Sequence, residues 1–194
     1  MPQPDLPGLP DYVIPDLRVL FVGINPGLRS AEVGHHFAGH SNRFWKLLSD
    51  SHLVPHPLNY WEDSRLLDWG IGLTNLVSRP TTGIHELTRK DYHQGRITLL
   101  QKIDLFRPQI VALLGLGMAR DLLSESPPAV DSRISKPLRI KPGLQRLFLC
   151  QAKVFVLPNP SGRNAHYSYE AMRRLFQTLG RMVNPIPKKN RQDL

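Results

Sequence analysis

The residues best placed to do chemistry in this chain sit on two turns. Val19-Leu20-Phe21-Val22 is an apolar run that leads directly into Gly23-Ile24-Asn25-Pro26-Gly27. A short apolar run bounded by glycine and proline fits a strand buried on both faces of a parallel sheet. Gly23 and Gly27 let backbone approach a ligand closely, while Pro26 fixes the turn and lacks an N–H donor. Open α/β sheets bind ligands beyond the carboxyl ends of their strands, which puts Asn25 where chemistry is commonly done. By itself the motif also fits an ordinary Asn-Pro-Gly turn. A second site repeats the plan, with Val154-Phe155-Val156-Leu157 emptying into Pro158-Asn159-Pro160-Ser161-Gly162-Arg163-Asn164. Two such turns from neighbouring parallel strands would share one edge of the sheet. Arg163 has the reach and planar head to enter a base stack or meet a phosphate, with an exposed surface arginine as the plain alternative.

Composition limits what these turns could serve. The 194 residues carry 25 Lys and Arg against 16 Asp and Glu, a formal charge of +9. Such an excess favours a polyanionic partner, most simply a nucleic-acid backbone. The single cysteine, Cys150, rules out an internal disulfide and a multi-cysteine zinc or iron–sulfur site, and it fits a reducing cytoplasm. No apolar run approaches the roughly 20 residues of a membrane span, and the opening Met1-Pro2-Gln3-Pro4-Asp5 does not read as a signal peptide. Neither G-x-G-x-x-G nor a Walker-type motif follows the first strand, which weighs against a nucleotide-binding domain.

The elements that must position the turns alternate between strand and helix. Residues 1–16, with five prolines, read as an extended or disordered lead-in. Residues 17–183 read as one domain, and 184–194 as a basic disordered tail. Leu28 to His40 reads as a polar loop, followed by a helix from Ser41 or Asn42 with Phe44, Trp45, Leu47 and Leu48 on one side. A second strand is expected over Ile71–Val77 and a long helix from about Lys90 to Phe106, with Thr88 and Asp91 at capping-box spacing. Ile110–Leu114 is the third strand, followed by a short helix near Met118–Leu123 and an irregular excursion over 124–146. Leu147-Phe148-Leu149 and Val154-Phe155-Val156 form a hairpin or add a central strand, and a last helix runs from about Ser168 to Met182. The alternation predicts a three-layer α/β/α sandwich around a mainly parallel sheet.

Together, Gly23–Gly27, Gly34-His35-His36-Phe37, Asn42-Arg43-Phe44-Trp45, Gly72–Val77 and Asn159–Gly162 resemble the mismatch-specific uracil/thymine DNA glycosylases. These are the Mug and thymine-DNA glycosylase branch of the uracil-DNA glycosylase superfamily, and the resemblance spans about residues 17–182. It implies an enzyme that flips a base from duplex DNA and hydrolyses its bond to deoxyribose, leaving an abasic site. Such a reaction needs a positioned water and donors for the departing base, and it implies neither metal nor cofactor. Asn25 matches the residue that positions the water. A neutral amide orients water through its carbonyl oxygen but is a poor proton acceptor. Asp91 is therefore the candidate for an assisting carboxylate, with a helix cap as its other role.

The remaining site expectations also follow from the resemblance. Phe37 would stack on the flipped base, the backbone of Ile24 and Phe37 would bond its edge, and His36 and Asn75 would stand beside it. Polar flanks at His35, His36 and His40 argue against burial of that loop. Ser30 matches the position facing the pyrimidine 5-carbon, where the thymine-processing enzymes carry alanine, so uracil should be favoured over thymine. Asn159, Pro160, Ser161, Gly162, Arg163 and Asn164 would read the opposite strand, with Arg163 as the wedge. The implied partner is double-stranded DNA carrying uracil or G:U, and more weakly G:T, met by a monomer among the DNA of a bacterial-type cytoplasm. A lesion-binding protein of the same fold without useful catalysis is the alternative.

Overall fold

The computed structural model describes residues 6–124 and 140–183. Most of the expected excursion and all of the expected basic tail lie outside the described residues. Five strands form one sheet: β1 (Val19–Gly23), β2 (Ile71–Asn75), β3 (Ile110–Leu114), β4 (Gly143–Leu149) and β5 (Ala152–Leu157). Their order is β2-β1-β3-β5-β4, with β4 alone antiparallel. The last two strands are thus both a hairpin and the source of one more central strand. Among the described residues the α-helices are α1 (Leu28–Val33), α2 (Phe44–Asp50), α3 (Arg89–Phe106), α4 (Leu116–Ser124) and α5 (Tyr169–Val183), with 3-10 turns over Tyr60–Trp69 and Ile84–Glu86.

Every residue of β1 and β3 is buried, because helices cover both faces of the sheet. Alternate residues of β1 feed different cores. Val19 and Phe21 join Phe44 of α2 and Phe176 of α5 on one face. Leu20 and Val22 join Leu99 and Ile103 of α3 and Met118 and Leu122 of α4 on the other. Phe21 meets Phe44 edge-on at 5.3 Å and stacks on Phe176 at 5.9 Å. Burying each such side chain stabilises the fold by about 1.5–3 kcal/mol, so β1 is fixed from both sides before it delivers Asn25.

Two sequence expectations need correction. The span read as a polar loop contains α1, a single short amphipathic turn that buries Ser30 and Ala31. Residues 6–16, the described part of the expected lead-in, are extended as one reading had it and ordered along the domain rather than disordered. Tyr12 exchanges both backbone hydrogen bonds with Leu73 at 2.9 Å, pairing along the outer side of β2. The Asp11 carboxylate accepts from Thr74 and Lys102. Proline-rich composition predicted extended backbone, and an uncovered sheet edge offers that backbone its partners.

The expected capping box at Thr88 and Asp91 is present, and α3 then runs close beneath the turn after β2. Gly95 permits that approach, since a Cβ there would overlap the carbonyl oxygen of Leu76. Glycine to alanine inside a helix ordinarily gains about 1 kcal/mol. Gly95→Ala should reverse that sign and lower the urea midpoint of unfolding.

Candidate active site

A cleft of about 820 Å³ opens at the carboxyl ends of β1, β2 and β5, walled by both Asn-Pro turns. Asn25, Ser30, His36, Phe37, Asn75, Thr81, Asn159 and Arg163 all line it. The strand exits are stitched to each other by backbone bonds. Leu76 N donates to Gly23 O, Val77 N to Ile24 O, and Thr81 N to Pro26 O, at 2.8–3.1 Å. The first turn therefore runs beside the chain leaving β2 as an irregular continuation of the sheet.

That neighbour fixes the Asn25 amide. Its Nδ2 donates to Thr81 Oγ1 at 2.7 Å, Arg79 O at 3.0 Å and Pro26 O at 3.2 Å. The Thr81 hydroxyl donates its own proton to Gly83 O at 3.0 Å, so it can only accept from Asn25. A flipped amide would set Oδ1 against two carbonyl oxygens. The chemistry of the partners thus fixes Nδ2 on the loop side and leaves Oδ1 as the acceptor. Across the strand end, Gly23 pairs in register with Asn75, whose Oδ1 lies against it. A side chain at position 23 would strike that amide and approach the Phe37 ring.

Phe37 is held in the left-handed region, at φ 55°, an uncommon conformation for a residue with a Cβ. Three side chains hold the backbone around it. His36 N donates to Asp63 Oδ2 at 2.9 Å, Ala38 N to Ser30 Oγ at 3.0 Å, and Trp45 Nε1 donates to His36 O at 3.2 Å. The ring of Phe37 packs on Phe44 at 4.1 Å between centroids. It is half-buried and borders the cleft, as a stacking platform should be. The expectation that this loop avoids burial is corrected, because His36 is 1% exposed. Its Nε2 lies 2.8 Å from Pro10 O, and since a carbonyl only accepts, Nε2 carries the proton. Burial pushes the imidazole below its ordinary value, against the pull of the Pro10 carbonyl and Asp63, and keeps it neutral.

In the second turn, Ser161 N donates to Asn159 Oδ1 at 2.9 Å, and Asn164 Nδ2 to Asn159 O at 2.9 Å. Both asparagines brace the loop, while Arg163 is exposed at its tip. The Arg163 guanidinium rests across the cleft mouth, Nη1 on Thr82 O at 2.9 Å.

Asp91 does not line the cleft. Its Oδ2 accepts from Thr88 N at 2.7 Å, Thr88 Oγ1 at 2.8 Å and Arg79 Nη2 at 2.9 Å. The Thr88 amide, then Arg79 and the Thr88 hydroxyl, hold its carboxyl down at about 2. So stabilised an anion is a weak proton acceptor, and the helix-cap role describes it. Asp91 is not wholly remote from the site, since it grips the side chain of Arg79, whose carbonyl holds Asn25. Among the described residues, no Asp or Glu lines the cleft.

Two residues escaped the sequence reading. Thr81 lies within Arg79-Pro80-Thr81-Thr82, just beyond the expected second strand, where nothing in the sequence marks it as a partner of Asn25. Asp63, 1% exposed, accepts from His36 N, pairs with His35 Nδ1 at 3.1 Å and receives the Tyr12 hydroxyl. Burial, then the Asp63 charge and hydrogen bond, push Tyr12 up to about 12. An acid inside Trp61-Glu62-Asp63-Ser64-Arg65 carries no local mark of burial. Only the packing of residues 60–69 behind the Phe37 loop reveals it.

Residues 10–180 match the family model described as the uracil DNA glycosylase superfamily. Among solved structures, the chain is similar to a candidate uracil DNA glycosylase from Methanosarcina acetivorans, determined by solution NMR. The TM-score is 0.59 at 16% identity, over 91% of this chain and 98% of that one. At that identity the likeness shows the α/β fold alone.

The neutral His36 gives a pH dependence with a definite sign. Its folded value lies below its ordinary 6.5, so the unfolded chain binds the extra proton. The contribution is complete above that value and is lost as pH falls beneath it, by at most about 1.4 kcal/mol per pH unit. His36→Gln keeps a donor for Pro10 O but cannot charge. Thermal unfolding between about pH 7 and 5.5 should show a shallower loss of stability in this variant than in the wild type.

Proposed function

We propose a specific task for this chain, which belongs to the uracil DNA glycosylase superfamily: it excises uracil, preferentially opposite guanine, in the manner of the mismatch-specific branch. Membership makes it a base-excision DNA glycosylase. The finer reading rests on one observation above the others, the single orientation of the Asn25 amide. With Nδ2 tied to the 79–83 loop, Oδ1 accepts from a water and aims it at the anomeric carbon of a flipped deoxyuridine. Fixing the nucleophile in this way lowers the barrier without a strong base.

The rest of the cleft supports the same task. Phe37 offers a half-buried ring to the base, and Asn75 turns Oδ1 to Gly23, leaving Nδ2 to donate to the pyrimidine as it departs with negative charge. The Ser30 hydroxyl accepts from Ala38 N and borders the cleft, where it would crowd a 5-methyl group. Arg163 would leave Thr82 O and fill the space vacated by the flipped base, with the 159–164 turn against the opposite strand. The wedge exchanges one charge-assisted bond for others on DNA, which limits the penalty for moving it.

Single-turnover release of uracil from U:G, U:A, T:G and single-stranded oligonucleotides tests this reading. The order expected is U:G fastest and T:G weak. Asn25→Ala should lose about a hundredfold or more, and Asp91→Asn should keep most of its activity. Tight binding of U:G duplex without release of base would instead favour the lesion-binding alternative. Ser30→Ala frees room for the methyl group and should raise the T:G rate relative to U:G by about tenfold. Its absolute U:G rate should fall, because Ala38 N loses its acceptor.

A further inference from the structure

We infer that Arg43 is the positioning residue for opposite-strand recognition: it decides which carbonyls of the 159–164 turn remain to meet DNA. This rests on the reading of that turn as the DNA-reading loop. Arg43 precedes α2 and does not line the cleft. Its Nη2 donates to Ser161 O at 2.9 Å and Asn164 O at 3.0 Å, Nε to Pro160 O at 3.4 Å, and Nη1 to Tyr167 O at 3.5 Å. Its backbone N–H also donates to Pro160 O at 3.0 Å. One cation thus gathers four carbonyls of a single loop from behind. Asn159 O is taken by Asn164 Nδ2.

What this leaves is specific. Among the described residues, no hydrogen bond reaches the carbonyls of Gly162 and Arg163. A guanine whose partner has been flipped away presents N1–H and N2–H, two donors side by side that need two acceptors. Adenine presents an acceptor at N1 and would leave a carbonyl facing a lone pair, a repulsive and unsatisfied contact. Without the guanidinium fork Asn164 O and Tyr167 O lose their partners, while Pro160 O and Ser161 O each keep one backbone N–H, from residue 43 and Asn164, so the loop could turn Asn164 O outward or relax, and the preference would blur. Gly162 reinforces the placement, since a Cβ there would overlap Ser41, so the loop lies flat on the segment just before Arg43.

The same stretch also reaches the base pocket. Phe44 packs against Phe37, and Trp45 donates to the carbonyl of His36. Arg43, Phe44 and Trp45 therefore join the strand-reading loop to the stacking platform through three consecutive residues. Lysine cannot reproduce the role, because a compact ammonium lacks the planar fork that spans separate acceptors.

The test is opposite-base discrimination, the ratio of single-turnover uracil release from U:G to that from U:A, read beside the single-strand rate. In Arg43→Lys the ratio should fall by about tenfold or more, while the single-strand rate changes by less than about threefold. Retention of the wild-type ratio overturns the inference. An equal loss of duplex and single-strand rates also overturns it, because it marks a merely structural arginine. Should the lysine variant not fold, Arg43→Gln, which keeps a planar donor without charge, is read by the same outcomes. A wild type that does not distinguish U:G from U:A overturns the reading of the loop itself, and is seen before any variant is made.

Discussion

The geometry of the cleft depends on the three hydrogen bonds that spend both N–H groups of Asn25 on Thr81, Arg79 and Pro26. A side-chain amide on a turn normally samples two orientations that differ little in energy. Here one of them would place oxygen against oxygen twice, facing the carbonyls of Arg79 and Pro26 with no donor between. The amide is therefore directional before any ligand arrives. In the proposed mechanism that direction is the main contribution the protein makes to the nucleophile, since the amide itself cannot accept a proton well.

Much of the remaining architecture supports that contact. β1 is buried on both faces and carries Asn25 out of the sheet at a fixed angle. β2 lies beside it in register, and the chain beyond β2 returns as the 79–83 loop that supplies the acceptors. Asp91 closes α3 at its start and holds the Arg79 side chain, so a helix cap helps to place a loop facing the cleft. The N-terminal strand segment covers the open side of β2 and supplies the carbonyl that sets the His36 tautomer. The left-handed backbone of Phe37 persists because Asp63, Ser30 and Trp45 over-determine it.

The sandwich, its strand order along the chain and the two Asn-Pro turns were legible because buried parallel strands leave continuous apolar runs. The Thr88 and Asp91 cap was legible because its chemistry is local, and the structure keeps Asp91 in that role. The missing pieces are long-range. Thr81 bonds a residue 56 positions away, and Asp63 receives the amide of a residue 27 positions away. Neither has a sequence neighbour that announces its partner. α1 was hidden because it is only six residues long, between Gly27 and Gly34, and the docking of residues 6–16 because proline content predicts conformation but not what the segment lies against. Burial of His36 was missed for the same reason: the carbonyl that satisfies it belongs to that segment.

In the proposed mechanism the 79–83 loop orients the Asn25 amide for catalysis, and substitution of Thr81 probes that contact alone. Thr81→Val removes the 2.7 Å acceptor at nearly constant shape, while Thr81→Ser keeps it. The measurement is the single-turnover rate of uracil release at saturating enzyme, with affinity for the same U:G duplex measured in parallel. The valine variant should lose at least about tenfold in rate with affinity unchanged, and serine should restore most of it. A valine variant as fast as the wild type would contradict that mechanism.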